Sequence, residues 1–223
     1  MFATLVDLVL PRCCLGCGRA GSPLCPACTA IDVHAVPGPN VAVSAAAHYD
    51  GAVRTALIAY KERGRRDLAG PLAALLALAV AALAPRDVTL VPVPSAAAAR
   101  RARGGDHVAR LGRALGGCTS ALRFVRAVQD SAGLDSAARA SNLSAAMRAS
   151  PPHPRRSTAV IIDDITTTGA TLAEAARALG AAGWTIAGGA VVAATPRRFP
   201  SHSMGTQFTL PMHLAPPYGR GLT

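Results

Sequence analysis

The sequence predicts an α/β protein: a parallel β-sheet flanked by helices, with a small metal-binding region at the amino terminus. The run Ala159 to Ile162 is apolar and mostly β-branched without alternation, which is typical of a parallel strand covered on both faces. Strand-like and helix-like segments alternate along most of the chain. Four of the six cysteines form two C-x2-C pairs near the amino terminus. Together these features indicate one α/β core and a short metal-stabilised subdomain.

The segments follow each other in the order that a doubly wound sheet requires. The predicted strands are 41–48, 88–93, 122–128, 158–163 and 184–194, and the predicted helices are 51–60, 68–84, 106–116, 136–147 and 171–180. Residues from 195 onward are rich in Pro, Ser, Gly and His, which predicts an extended or disordered tail. The expected division is a ribbon region at 1–40, an α/β domain at 41–194 and a tail at 195–223.

No membrane insertion is expected. The longest apolar stretch runs for thirteen residues from Leu72 to Ala84, too short to span a bilayer and better interpreted as a buried helix. Residues 1–10 contain Asp7 and lack the basic start and small-residue cleavage site of a signal peptide. A cytoplasmic location is therefore predicted.

The cysteine pairs are Cys14-Leu-Gly-Cys17 and Cys25-Pro-Ala-Cys28. This spacing matches a four-thiolate structural zinc site, a closed tetrahedron with no open position for catalysis. The alternative is a disulfide pair in a secreted protein, which the missing signal peptide disfavours. Cys13 is adjacent to the quartet and could substitute as a ligand.

The six histidines show no metal-ligand spacing of their own. His34 follows the cysteine pairs closely enough to be a substitute zinc ligand, but four cysteines already complete a tetrahedron. His48 is interpreted as an ordinary residue at a strand end. The sequence therefore predicts no metal site among the histidines.

Two carboxylates, Asp163 and Asp164, follow the apolar run, and a hydroxyl-rich turn comes next. Open α/β sheets bind ligands at the carboxyl ends of their strands. The turn Thr166 to Thr171 can direct backbone N–H groups, hydroxyls and the positive end of a helix dipole at one anion. Carboxylates beside such a site suit vicinal hydroxyls next to a phosphate, as in a ribose 5-phosphate. Alternatively, Thr171 and Glu174 form only a capping box.

The segment resembles the motif of type I phosphoribosyltransferases that binds phosphoribosyl pyrophosphate (PRPP): a hydrophobic strand followed by Asp-Asp-x-x-Thr-Thr-Gly-x-Thr. The resemblance implies a type I phosphoribosyltransferase-like parallel sheet. It implies that Asp163 and Asp164 hold the ribose 2- and 3-hydroxyls while Mg²⁺ bridges pyrophosphate and ribose oxygens. The implied contacts of the 5-phosphate are Thr166, Thr167, Thr168, Gly169, Ala170 and Thr171.

A zinc ribbon before this motif resembles the arrangement of ComF-like proteins, a competence-associated family. The segment Tyr60-Lys61-Glu62-Arg63-Gly64 resembles the family's Tyr-Lys segment near the pyrophosphate. Val91-Pro92-Val93-Pro94 and the following Arg100 to Gly104 resemble its Val-Pro-Val-Pro segment and Arg-Gly turn. Where the family usually reads Arg-Gly-Phe-Asn-Gln, this chain has Arg103-Gly104-Gly105-Asp106-His107.

Lys61 is also notable by composition, as the one lysine among 23 basic residues. A compact ammonium on a flexible stem can follow a leaving pyrophosphate. Arg63 and Arg103 lie in arginine clusters that flank this position, so both are expected phosphate contacts. The net charge of +11 leaves further arginines that could bind single-stranded DNA, although aromatic residues for base stacking are scarce.

Three functions follow from these features. The first is a phosphoribosyltransferase that uses PRPP and an unknown acceptor. The second is a competence factor that binds single-stranded DNA, works with cytoplasmic helicase or recombination-mediator proteins, and keeps the pocket for ligand binding. The third is a sensor that binds PRPP without turning it over.

Overall fold

The computed structural model describes residues 12–37, 40–83, 87–126, 141–153 and 157–196. Within these ranges the strands are β1 His34–Val36, β2 Val43–His48, β3 Val88–Pro92, β4 Leu122–Phe124, β5 Met147–Ala149, β6 Thr158–Thr166 and β7 Thr185–Ala194. The α-helices are α1 Gly51–Glu62, α2 Ala69–Leu83, α3 Ala97–Ala102, α4 His107–Ala114 and α5 Ala170–Ala181. Short 3₁₀ helices occupy Pro26–Cys28 and Arg66–Leu68. Three predicted segments lie outside the described residues: the part of the predicted tail 195–223 that follows residue 196, the strand end at 127–128 and the helix portion at 136–140.

The main sheet has the strand order β1-β2-β7-β6-β3. Strands β2, β7, β6 and β3 are parallel, and the edge strand β1 is antiparallel to β2. The carboxyl ends of the four parallel strands therefore meet at one edge of the sheet. This confirms the predicted α/β class, with a mostly parallel sheet flanked by helices.

Helices cover both faces of β6, which explains its unalternating apolar sequence. Val160 and Ile162 pack on the face that carries α1, α2 and α4. Ala159 and Ile161 pack on the opposite face, together with Leu172 of α5.

Strand β6 is longer than predicted, since it continues to Thr166 rather than ending at residue 163. The extension persists because β7 pairs with it to the end, with Asp163 opposite Val191 and Thr166 opposite Ala194. Both aspartates therefore lie within the strand and point to opposite faces of the sheet.

The prediction of a helix over 136–147 is wrong at its carboxyl end. The chain turns at Ala145, which has a φ of 54°, and enters β5. Strand β5 pairs with β4 in a separate two-stranded antiparallel sheet. Side chains of α5 hold it there, because Glu174 accepts from the Met147 amide at 2.9 Å and Arg177 donates to the Met147 carbonyl at 3.0 Å. These tertiary contacts override the helical propensity of an alanine-containing segment.

In the described part of the chain, one helical stretch, Arg66–Leu83, is long and apolar enough to cross a membrane by length and composition, with a mean hydropathy of 1.6. Its helix α2 packs against β2, β7 and α4. Leu72, Leu76 and Ala79 are fully buried there. For the described residues 72–83, these contacts support the interpretation of the apolar stretch as a helix packed into the core.

Candidate functional site

A buried carboxylate, a lysine and a histidine meet at the carboxyl end of β6. Asp164 is only 3% exposed, and its Oδ2 lies 3.0 Å from Lys61 Nζ and 3.0 Å from His107 Nε2. Lys61 comes from the last turn of α1 and His107 from the first turn of α4. The three side chains are brought together because α1 and α4 cover the face of β6 on which Asp164 lies.

The sequence predicted Asp164 and Lys61 as site residues but did not identify His107. The other ring nitrogen of His107, Nδ1, is 3.2 Å from Ser95 Oγ. The backbone carbonyl of His107 accepts a 2.8 Å hydrogen bond from the Tyr60 hydroxyl. His107 thus connects β6, α1 and the segment that follows β3. It is one of the positions at which this chain departs from the ComF-like pattern.

The neighbouring residue Asp106 fixes the position of His107. Asp106 is the N-cap of α4, and its Oδ1 accepts from the amides of Val108 and Ala109. Its Oδ2 accepts from the Ser95 amide at 2.8 Å, so the loop after β3 is tied to the start of α4. An aspartate immediately before a helix is a recognised N-cap signal, and it could have indicated that residue 107 opens a helix.

The two aspartates have opposite electrostatic environments. Burial and the charge of Asp164 raise the pKa of Asp163 well above its ordinary value. Burial also opposes ionisation of Asp164, but the hydrogen bond from His107 and the charge of Lys61 outweigh it and lower its pKa. Asp163 instead accepts the Asp164 amide at 2.8 Å. The pair therefore holds one compensated charge and one carboxyl group that favours a proton, a cation or a hydroxyl donor.

Lys61 remains an ammonium. Burial by itself would lower the pKa of Lys61, but attraction to Asp164 and then to Asp163 raises it above the ordinary lysine value. Next to it, Arg103 Nη2 donates to Glu62 Oε1 at 3.1 Å, which places the Arg103 guanidinium beside the end of α1. Arg63 ends the same helix and is exposed. The structure thus brings two of the three predicted cations together, with the third adjacent and open to solvent.

The threonine-rich turn connects β6 to α5 at the same edge. Thr166 is buried at the strand end, and its carbonyl accepts from the Thr195 amide at 3.0 Å. Gly169 adopts a left-handed conformation with a φ of 78° and stands at the N-cap of α5. A glycine suits this position, since a side chain would be strained there. Ala170 and Thr171 begin the helix, and Thr168 Oγ1 accepts from the Ala170 amide at 3.4 Å.

The structure contradicts the alternative that Thr171 and Glu174 form a capping box. The N-cap is Gly169, and no side chain caps α5 there. Glu174 is buried and directed toward β5, where it accepts from the Met147 amide and from Arg177. The first turn of α5 thus lacks a carboxylate, so no acidic side chain competes there with an anion for the helix amino terminus.

The cysteine quartet forms a second, separate site. The Sγ atoms of Cys14, Cys17, Cys25 and Cys28 all lie within 4.8 Å of one another, and Cys17 Sγ is 3.7 Å from Cys25 Sγ. A tetrahedral zinc with Zn–S bonds of about 2.3 Å separates its ligand atoms by roughly 3.8 Å. The four residues therefore fit the predicted structural zinc. Cys13 is not part of this group.

Hydrogen bonds favour a thiolate at Cys14 and a thiol at Cys28. The amides of Gly16 and Cys25 each donate to Cys14 Sγ at 3.4 Å. Backbone hydrogen bonds, the largest from Cys25, lower the pKa of Cys14 to about 6. Side-chain contacts with Cys17 and Cys25 raise the pKa of Cys28 to about 12. Cys14 is thus ready to bind as a thiolate, whereas Cys28 resists losing its proton until a cation such as zinc is bound.

Two cavities in the described residues lie away from both sites. One of about 250 Å³ is lined by Met147, Arg177 and neighbouring alanines, and one of about 590 Å³ by residues such as Asn40 and Ile186. Neither includes Asp163 or Asp164. The carboxylate site is therefore identified by the convergence of charged groups rather than by cavity size.

A comparison with protein families matches residues 86–208 to the phosphoribosyl transferase domain, which is more than half of the chain. The matched range includes Asp163, Asp164 and the threonine-rich turn, and it begins after Lys61 and the cysteine quartet. No curated protein matches the chain.

Proposed function

Because this chain belongs to the phosphoribosyl transferase domain family, we propose that it binds PRPP with Mg²⁺ and transfers ribose 5-phosphate to an acceptor, releasing pyrophosphate. One observation carries the proposal. The carboxylate pair, the Lys61 ammonium and the amino terminus of α5 lie at the same edge of the sheet. At that edge, the hydroxyls of a sugar phosphate can donate to the carboxylates, and its anionic groups can bind the ammonium and the helix amino terminus.

The ribose lies against the carboxylate pair in this proposal. Asp163 and Asp164 each accept from one of the 2- and 3-hydroxyls. The 5-phosphate occupies the turn from Thr166 to Thr171, where the amides at the start of α5 and the helix dipole favour a negative group. As the bond to pyrophosphate breaks, the fixed carboxylates stabilise the positive charge that develops on the ribose.

The pyrophosphate lies on the side of Lys61, Arg103 and Arg63. Lys61 is held by Asp164 when no ligand is bound, and its flexible stem lets the ammonium move to the leaving pyrophosphate. Asp163 would hold a nearby Mg²⁺, because the ion pairs of Lys61 and His107 go to Asp164 and a carboxylate oxygen is a ligand that Mg²⁺ prefers. When bound, Mg²⁺ would neutralise negative charge on the leaving pyrophosphate.

The narrower proposal is a ComF-like protein of the cytoplasm with a structural zinc. A four-cysteine group that can hold a metal, placed before a phosphoribosyl transferase domain, supports this arrangement. Its proposed organisation is a ribbon at 1–40, the catalytic domain at 41–194 and a tail at 195–223.

A second candidate is binding of single-stranded DNA by a competence factor that uses the pocket for ligand binding. The observation that favours it is the number of exposed arginines away from the carboxylates, including Arg54, Arg113 and Arg123. Such contacts give an affinity that falls steeply with salt and does not depend on base sequence.

The test is release of pyrophosphate from PRPP in Mg²⁺ with a panel of nucleobase and amine acceptors, alongside a DNA-binding titration at two salt concentrations. Acceptor-dependent release by the parent, lost in the Asp163→Asn/Asp164→Asn variant, is the expected result. PRPP binding without release would favour the sensor. Salt-sensitive DNA binding without PRPP binding would contradict the proposed transferase.

A further inference from the structure

Three potential metal ligands meet beside the carboxyl end of β2, outside both sites described above. Asp32 precedes β1, His34 opens β1 and His48 ends β2. Antiparallel pairing of β1 with β2 brings them together: His34 lies opposite Ala45, and the Asp32 amide donates to the Ala46 carbonyl at 2.9 Å. The two imidazole rings stack with their centroids 4.5 Å apart.

The donor atoms are spaced as a metal ion requires. His48 Nε2 is 3.0 Å from Asp32 Oδ2, and His34 Nδ1 is 3.8 Å from the same oxygen. One donor atom from each residue lies within 4.8 Å of the others. A tetrahedral ion with bonds of about 2.1 Å separates its ligand atoms by roughly 3.4 Å, so these distances bracket the required value.

Hydrogen bonding satisfies only part of this cluster, since His34 Nδ1 lies 2.7 Å from the Asp32 backbone carbonyl. In the described parts of the chain no partner reaches the buried Nδ1 atom of His48. The other nitrogen of that ring faces a carboxylate oxygen that His34 also approaches. The Asp32 carboxylate thus has two imidazoles near it, and imidazole nitrogen and carboxylate oxygen donors together suit a divalent transition ion.

We propose that Asp32, His34 and His48 form a second metal site, distinct from the cysteine quartet, for a divalent transition ion such as Zn²⁺. Imidazole and carboxylate suit Zn²⁺, whereas the thiolate quartet forms a closed site. The side chains are 58%, 25% and 43% exposed, respectively, so water completes the coordination and the ion exchanges more readily than at the quartet.

The site lies on the same edge as the carboxylate pair but is separate from it. His48 is in register with Ala194 of β7, and Ala194 with Thr166 of β6. Two strand spacings place it roughly 10 Å from the threonine-rich turn. Metal binding at the histidines therefore does not require PRPP, and this proposal does not depend on the proposed transferase activity.

The experiment measures zinc bound per chain by mass spectrometry after equilibration of the full-length protein with excess Zn²⁺ and removal of free metal at a buffered zinc concentration. The parent is expected to hold one zinc more than the His48→Ala variant. His153→Ala is the matched control, because His153 is an exposed histidine outside the cluster, and this variant is expected to equal the parent. Equal zinc content in the parent and His48→Ala would overturn the proposal.

A second measurement keeps the test valid if His48→Ala folds poorly. Titration of the parent and of His34→Gln with Co²⁺ is followed by visible absorption. Two spectral classes are expected in the parent, one with thiolate charge transfer and one from nitrogen and oxygen ligands, and His34→Gln should lose only the second. A parent spectrum that shows the thiolate class alone would also overturn the proposal.

Discussion

The cysteine quartet and the carboxylate site are built in opposite ways. All four cysteines lie between residues 14 and 28, so local turns suffice to bring their sulfurs together. The carboxylate site joins Lys61, His107 and Asp164, which are far apart in sequence and meet only because two helices pack on one sheet face. The spacing of the cysteines along the chain is therefore enough to recognise the quartet. In the carboxylate site, only Asp163, Asp164 and the turn that follows them can be recognised without the fold.

The two sites also differ in how their charge is balanced. The quartet matches the ligand set of a closed structural metal site, a kind of site whose metal binding contributes to folding. The carboxylate site leaves Asp163 with a raised pKa beside an Asp164 that Lys61 and His107 already compensate. The first arrangement suits stability and the second suits a ligand, so substitutions should affect the two sites differently.

The largest effect is expected from Cys14→Ser. Since structural zinc binding contributes directly to folding free energy, this variant should lose one zinc per chain and show a clearly lower Tm. Metal analysis and thermal unfolding measure both. Cys13→Ser is the control, because Cys13 is the neighbouring residue but lies outside the quartet. Unchanged zinc content and Tm in Cys14→Ser would show that the quartet is not a structural metal site.

A smaller and more local effect is expected from Asp164→Asn. It removes the shared partner of Lys61 and His107, and breaking a buried ion pair costs about 3–5 kcal/mol of folding stability. It should also weaken PRPP binding about a hundredfold, or roughly 2.7 kcal/mol. Urea unfolding and equilibrium binding measure the two effects. Asp50→Asn is the control, because Asp50 is an exposed aspartate before α1, and it should change neither the stability nor the PRPP affinity. Equal behaviour of the two variants would argue against a functional site at Asp164.

Lys61→Met should act mainly on the pyrophosphate side. It keeps an apolar stem of similar length but removes the ammonium, so affinity for pyrophosphate in Mg²⁺ should fall about tenfold, or roughly 1.4 kcal/mol. The same affinity measured in Arg54→Met should stay near that of the parent, because Arg54 is an exposed cation earlier on the same helix. An equal loss in both variants would indicate that general positive charge, rather than Lys61, attracts the anion.

The smallest effect is a pH dependence carried by Asp163. A carboxyl whose pKa is raised in the folded state contributes stability below its ordinary value of 3.8 and loses it as pH rises through the raised pKa. Asp163→Asn should therefore be more stable than the ligand-free parent at pH 7, by a margin that shrinks toward pH 4. Urea unfolding across this range provides the measurement. If the free energies of unfolding of the parent and of Asp163→Asn changed equally with pH, the raised pKa of Asp163 would be contradicted.

The lowered pKa of Asp164 gives the opposite dependence of folding stability on pH. Its contribution to stability is present above pH 3.8 and is lost as pH falls toward the lowered value. In Asp163→Asn this acid-side loss should therefore remain. It should be reduced in Asp164→Asn.

The sequence predicted the central strand, the acidic pair and the quartet, because each depends on contiguous residues or short spacing. It did not identify His107, because a histidine at the start of a helix gives no sign of a carboxylate on a distant strand. The predicted helix at 136–147 extended into Met147, the first residue of β5, since the contacts of Met147 with Glu174 and Arg177 depend on tertiary packing. The grouping of Asp32, His34 and His48 likewise depends on the β1–β2 register, which spacing along the chain does not reveal.

The central claim is that Asp163 and Asp164 bind the ribose of PRPP. The most direct measurement is calorimetric titration with PRPP in Mg²⁺ of the parent and of the Asp163→Asn/Asp164→Asn variant. We expect binding by the parent in the micromolar range, on the order of −8 kcal/mol, and none by the variant. Equal binding by both proteins would contradict the assignment of the carboxylates, and no binding by the parent would contradict the PRPP site itself.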